Sequence, residues 1–267
     1  MLKDITLGQY FPGESIIHRL DPRTKLIGVI AYIVALFLAQ WLIGYGVMAV
    51  FLITMIALSG IGFRTVVRGL KPVLFLLIFT GLLNLLYSSG DPIFKWGFIS
   101  ISMEGIWRAF FMVIRIMMLI MGTFMLTYTT SPILLTDAIE SLLGPLKKLH
   151  MPIHELAMMM SIALRFIPTL IEETDKLMSA QKARGADFES GNLMEKAKAL
   201  VPLLVPLFIS AFRRAEELAV AMESRCYHGG EGRTRLRQLK YAPRDWVALG
   251  LMALLIAGIS VLKHFGL

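Results

Sequence analysis

The sequence predicts an all-α, polytopic membrane protein with about five transmembrane helices and a cytoplasmic layer of three amphipathic helices. Three observations predict it. Of 267 residues, 56% are hydrophobic and only 17% charged, too apolar for an ordinary soluble domain. The apolar residues gather into five stretches, most of them near the ~20 residues that a ~30 Å hydrocarbon core demands. The charges gather elsewhere: positions 131–244 hold 29 of the chain's 46 charged residues.

The first 25 residues are polar and charged, so no cleavable signal with an apolar core is expected there, and the first span serves as the targeting signal. The spans are then read at 26–42, 44–61, 72–87, 109–129 and 246–262, the third somewhat short. Trp41, Tyr45, Trp107, Tyr128, Tyr241 and Trp246 flank them as interfacial aromatics. Gly60-Ile61-Gly62 ends the second. Four segments follow: 1–25, a four-span block at 26–130, a module of amphipathic helices at 131–244, and a last span at 245–267.

Lys and Arg set the orientation. Lys3, Arg19, Arg23 and Lys25 precede the first span, and Arg64, Arg68 and Lys71 sit in the loop at 62–71. The intervening loops carry none, or Lys95 alone with Arg108 at the edge of the fourth span. The N-terminus and residues 131–244 therefore face the cytoplasm, and five crossings leave the C-terminus outside. The net charge of +8 is rim charge of this kind and does not point to nucleic acid. Arg233, Arg235, Arg237, Lys240 and Arg244 suit anionic headgroups of the lipid bilayer.

Within the charged module two long helices are expected, at 153–184 and 195–225, after a shorter one at 134–149. Each long helix carries an apolar stripe. The partner-facing positions chosen on these stripes are Met159, Met160, Phe166, Ile167 and Leu170 on the first, with Leu203, Leu204, Leu207 and Phe208 on the second. Pro168, Pro202 and Pro206 are expected to kink them. Each helix stops on an arginine beside a small residue: Ala183-Arg184-Gly185 and Ser224-Arg225-Cys226. Taken singly, such an arginine is a helix-end cation favoured by the dipole by about 0.3–1 kcal/mol. As a pair, with Asp187 and Tyr227 alongside, the two guanidinium tips suit bidentate capture of carboxylates or backbone carbonyls in a partner's groove.

Other chemistry is thin. Arg115 lies inside the fourth span and is read as a structural arginine paired with a polar group such as Asn84 or Thr127. His154-Glu155 lacks the second histidine of a zinc-protease motif, and His150 and His154 are placed in an interfacial loop. There is no Gly-Lys dipeptide and hence no P-loop. One cysteine, Cys226, excludes an internal disulfide. The 17 methionines fill irregular gaps. No nucleophile–base set emerges, so the chain is not read as an enzyme.

A set of motifs then covers nearly the whole length. It comprises Gly8-Gln9-Tyr10-Phe11-Pro12-Gly13, Arg19-Leu20-Asp21-Pro22-Arg23-Thr24-Lys25-Leu26 and Ser161-Ile162-Ala163-Leu164-Arg165-Phe166-Ile167-Pro168-Thr169. Ala183-Arg184-Gly185-Ala186-Asp187-Phe188, Val201-Pro202-Leu203-Leu204-Val205-Pro206-Leu207, Ala221-Met222-Glu223-Ser224-Arg225 and Glu231-Gly232-Arg233-Thr234-Arg235 complete it. With these the chain resembles the T component, the transmembrane coupling subunit, of energy-coupling factor transporters, a group of ABC-type vitamin and metal importers in prokaryotic plasma membranes.

The resemblance implies that both arginine motifs insert into two related ABC-type ATPase subunits, and that a membrane-embedded substrate-binding S component is the other partner. It implies that this chain binds no cofactor, with ATP and Mg held by the ATPases. The N-terminal block resembles the version shared among several vitamin-binding S components. Cys226 stands where the family usually has glycine. Cysteine tolerates a left-handed stop poorly, which predicts that the second helix runs on toward Gly229-Gly230. The rival readings are a self-contained secondary transporter, for which the span interiors offer no Asp or Glu, and a membrane scaffold for another ABC system.

Overall fold

Asp21 opens the first helix. Its carboxylate accepts from the Arg23 backbone N–H at 2.9 Å, and Pro22 at the first helical position needs no donor of its own. In this computed structural model, which describes residues 10–86, 92–96, 99–149, 151–186, 188, 192–229 and 238–265, the chain is helical throughout except for one hairpin. Two compact units divide it: residues 8–138 with 239–267, and residues 139–238 together with the first seven.

The larger unit holds α1 (Pro22–Leu38), α2 (Leu42–Ser59), α3 (Phe63–Gly69), α4 (Leu74–Leu86), α5 (Met103–Thr129) and α9 (Pro243–His264). A two-stranded antiparallel hairpin, β1 (Pro92–Trp96) and β2 (Ile99–Ser102), joins α4 to α5. The chain is thus a multi-pass membrane protein: α2, the α3–α4 stretch, α5 and α9 are long and apolar enough to cross a bilayer. α1, with 17 residues, is at the short end of the range that can cross, and α7 (Ile153–Ala183) of the other unit is also long and apolar enough.

Three local differences have physical causes. The loop at 62–71 folds as α3 and a 3-10 turn, Lys71–Val73, because Pro72 interrupts the hydrogen-bond ladder without ending the run. Arg64, Arg68 and Lys71 therefore lie on helical turns. α5 begins six residues before the stretch at 109–129, since the Ser102 hydroxyl caps it by accepting from the Gly105 N–H at 3.0 Å. Arg108 is drawn into that helix, paired with Glu104 one turn earlier at 3.3 Å. Gly60, at φ 71°, ends α2 in the left-handed conformation expected of it.

Small residues bring these helices close. A Cβ on Gly122 would collide with the Tyr32 ring, and one on Gly69 would meet Phe124 at 2.6 Å. Tyr32 thereby reaches across α5, donating to the Met118 carbonyl at 3.1 Å. Ala35, Leu36, Met48, Met125 and Ile259 fill the core beside it.

Arg115 is a structural arginine, as read, but its partners differ. Its Nε donates to the Tyr45 hydroxyl at 2.8 Å and a terminal nitrogen to the Ala39 carbonyl at 3.3 Å. The guanidinium also lies 5.7 Å from the ring centroids of Phe37 and Tyr45. Asn84 is engaged elsewhere, with the Thr80 carbonyl and the Met112 sulfur.

The N-terminal motif ties three helix ends together. The Asp245 carboxylate accepts from the Asp21 N–H at 2.8 Å and, through its other oxygen, from the Ala242 N–H at 2.7 Å. Arg23 grips the Asp21 carboxylate with Nε and a terminal nitrogen, both at 3.0 Å, and lies 3.9 Å over the Tyr241 ring. Lys25 donates to the Thr129 carbonyl at the end of α5, at 2.7 Å, and to His18 O at 3.2 Å. Asp21, Lys25 and Asp245 are all buried. Sequence reading had no reason to single out Asp245; the contact joins residues 224 apart.

Candidate functional site

The second unit holds α7 and α8 (Leu193–Glu223), with the latter part of α6 (Pro132–Leu143) and a 3-10 segment, Gly144–Leu149. That segment occupies the C-terminal part of the helix expected at 134–149, where Gly144-Pro145 stops the α-helical ladder. His154, expected in a loop, sits in the first turn of α7, where its Nδ1 shares a 2.9 Å hydrogen bond with Glu140. His150 falls outside the described residues. α7 and α8 each run 31 residues, about 46 Å, with Pro168, Pro202 and Pro206 inside unbroken helix. The backbone N–H of Asn192 donates to Glu195, which starts α8.

Both helices end in the same way. At the close of α7, the Gly185 N–H donates to the Lys182 carbonyl and the Ala186 N–H to Gln181 O, each at 3.0 Å. At the close of α8, the Cys226 N–H donates to Glu223 O at 2.9 Å and the Tyr227 N–H to Met222 O at 3.1 Å. Each is a Schellman motif, with the orphan carbonyls of the last turn satisfied by the next residues of the same chain. Gly185 has φ 89° and Cys226 φ 56°, so the position after each arginine is left-handed. This corrects the expected run-on of α8 toward Gly229-Gly230: the helix stops at Cys226. That cysteine is the one non-glycine with positive φ among the described residues, a conformation that costs a Cβ-bearing residue roughly 1–2 kcal/mol.

Arg184 and Arg225 thus occupy equivalent places, the last position before the left-handed residue, and both are exposed. Ala183, Gly185, Ser224 and Cys226 are exposed beside them, Tyr227 is half-buried, and Asp187 lies outside the described residues. No acidic side chain is recorded against either guanidinium among the described residues.

One ion pair fixes α7 against α8: Arg214 donates to Glu173 at 2.9 Å. Each tip arginine lies eleven residues beyond its half of that pair, from 173 to 184 and from 214 to 225. At 1.5 Å per residue the two arms are equal, each about 16 Å. The sequence analysis did not pair Glu173 with Arg214. The equal spacing from the tips could have suggested the pair, but a pairing between separate helices has no fixed period.

The apolar stripes are turned relative to the expectation. Met159, Met160, Leu204 and Phe208 are exposed, while Phe166, Ile167, Leu170 and Leu207 are half-buried. Leu203, expected to face a partner, is only 4% exposed and is used up within the chain. The outward face of α8 runs through Val201, Leu204, Val205, Phe208, Ile209 and Phe212, a helical recurrence that keeps Leu204 and Phe208.

The family model described as CbiQ, cobalt transport protein, matches residues 13–236, a range that includes Arg184, Arg225 and the Glu173–Arg214 pair. The chain belongs to that family. It is similar to energy-coupling factor transporter transmembrane proteins along its whole length: 56% identical to that of Clostridium kluyveri over 266 residues, 99% of this chain and 98% of the relative. Identity is 54% with the Thermosediminibacter oceani protein, over 99% of both chains. With that of Bacillus subtilis it is 49%, over 98% of this chain and all of the relative. The protein is therefore the transmembrane component, the T component, of an energy-coupling factor transporter.

Proposed function

We infer that this T component couples ATP hydrolysis by two ABC-type ATPase subunits to a membrane-embedded, substrate-binding S component that takes up a vitamin or similar micronutrient. The observation that carries the reading is the pair of equivalent arginine tips on equal arms about the Glu173–Arg214 contact. ATP and Mg belong to the ATPases, and this chain contributes no catalytic group. Its N-terminus and coupling helices face the cytoplasm of a prokaryotic cell, consistent with Arg19, Arg23 and Lys25 before the first span.

Mechanically, each exposed guanidinium offers five donors on a backbone already closed by its own hydrogen bonds, so docking costs no helix end. When the ATPase pair closes on ATP, two tips gripped by charge-assisted hydrogen bonds must follow. Movement about a common contact passes to the apolar face of α8, where Phe208 and Phe212 meet the S component. Apolar packing is non-directional and permits sliding there, whereas paired charges fix register at the tips.

The test is the double variant R184E/R225E, co-purified with the two ATPases of its transporter. Loss of association is expected; undiminished association with transport-coupled ATP hydrolysis overturns the docking assignment. For the other face, F208D and F212D are expected to release the S component while the ATPases stay bound. Phe208 and Phe212 suit this test because they are 61% and 72% exposed.

A further inference from the structure

A cavity of about 120 Å³ opens among α1, α2, α5 and α9, walled by Gly28, Tyr32, Phe51, Met55 and Met252. Its walls are hydrocarbon apart from one short stretch beside Thr24 and Lys25. An apolar cavity of this size stays dry in water and takes up hydrocarbon when it is offered. In a bilayer, hydrocarbon is the surrounding solvent. The rim is open on that side: Leu251 is 58% exposed, and Val29 and Met55 are half-buried.

Thr24 supplies a second, independent observation. Its side chain lines the cavity, the residue is only 3% exposed, and its hydroxyl has no hydrogen-bond partner. A buried hydroxyl left unsatisfied costs about 1–3 kcal/mol, so an acceptor at this spot is favoured. Thr24 is the third residue of α1, where the polar N-terminal segment gives way to the apolar run from Leu26. Phospholipid ester carbonyls occupy the matching place in a bilayer, between headgroup and acyl chain. Arg244 is exposed one helical turn before Ala248, which also lines the cavity, so a cation stands on the same face of α9 toward the headgroup level. An interfacial aromatic, Trp246, is 65% exposed nearby in the chain.

The geometry points to a specific site for one phospholipid of the same leaflet: the first few methylenes of an acyl chain in the cavity, with the rest in the surrounding lipid, an ester carbonyl accepting from the Thr24 hydroxyl, and the phosphate toward Arg244. The hydrocarbon chain alone would not use Thr24 or Arg244, which is why a phospholipid fits better than a free alkyl group. The site lies wholly within the larger unit, and nothing in it depends on the arginine tips.

The experiment uses the full chain within its transporter, reconstituted into nanodiscs of phosphatidylglycerol and phosphatidylethanolamine. A trace of phosphatidylglycerol carries a diazirine in its acyl chain, and adducts are mapped by peptide mass spectrometry after illumination. Adducts are expected concentrated on the peptides bearing Tyr32, Met55 and Met252, well above the lipid-exposed Phe75 and Leu254. G28L, which fills the cavity, should abolish that excess. T24V keeps the shape and removes the donor, so it should lower the excess roughly three- to tenfold, the equivalent of one hydrogen bond. Labelling spread evenly over all lipid-exposed peptides overturns the site, as does labelling unchanged in both variants. If G28L fails to assemble, T24V decides. A diazirine fatty acid that labels as strongly as the phospholipid overturns the headgroup assignment.

Discussion

The last carbonyls of α5, and those of α7 and α8, find their partners in two different ways. The end of α5 is buried and held from outside: Lys25 takes the Thr129 carbonyl and the Phe11 N–H takes that of Tyr128, at 2.7 and 3.0 Å. The ends of α7 and α8 are exposed and hold themselves, each through two backbone hydrogen bonds to the residues just past the tip. A buried end can borrow donors from distant sequence because packing keeps them there. An exposed end has no such packing to rely on, so it closes its own ladder, and the arginine side chain takes no part in that closure.

Breaking the self-sufficient ends should have the largest effect. R184E and R225E, made singly, are each expected to weaken ATPase association by roughly 30-fold or more, as when one side of a buried, hydrogen-bonded charge pair is removed. Unequal losses, measured by surface-immobilised binding, would show that the glycine-ended and cysteine-ended tips are not used equally. Loss in neither would separate the closed backbone from any docking role.

Breaking the borrowed end comes next. K25M removes the donor for Thr129 O and His18 O and should cost about 1–3 kcal/mol of stability. Melting curves of wild type and K25M in parallel read this loss.

The two tips can be compared directly through their left-handed residues. G185V forces a β-branched side chain to φ 89° and should destabilise its tip by about 1–2 kcal/mol, whereas C226G should stabilise its tip by up to about the same amount. Hydrogen exchange at the Ala186 and Tyr227 amides, which close the two motifs, reads the change locally. Faster exchange at Tyr227 in C226G would contradict the left-handed assignment of Cys226.

The smallest effect is expected at the fulcrum. Arg214 and Glu173 are 38% and 22% exposed, so after solvent screening the pair is worth about 0.5–1 kcal/mol. E173Q and R214M should leave ATPase binding intact and raise the ATP hydrolysed per substrate transported. An unchanged ratio would mean that the equal arms have no mechanical use.

The helical class, both long helices and their terminal arginines were legible because they rest on period and composition, which are local. The stop of α2 at Gly60 was legible for the same reason: a glycine after an apolar run has one common use. The partners of Arg115 were not. Tyr45 and Ala39 lie 70 and 76 residues away, and a buried cation accepts any oxygen that packing brings to it. Leu203 failed similarly, since a stripe shows which residues are apolar but not which of them the chain itself covers.

The sequence by itself determined that this chain crosses the membrane several times, that two arginine-tipped helices leave the apolar block, and that its motifs are those of a T component. Periodicity, charge bias and motif spacing suffice for that, because each is written within a few turns of chain. Only the tertiary structure decided that Cys226 takes the left-handed turn of a glycine, that Asp245 meets Asp21, and that Glu173 pairs with Arg214 at equal distance from both tips. Those are contacts and strains: their free energies depend on which atoms arrive together, and one-dimensional spacing cannot carry that.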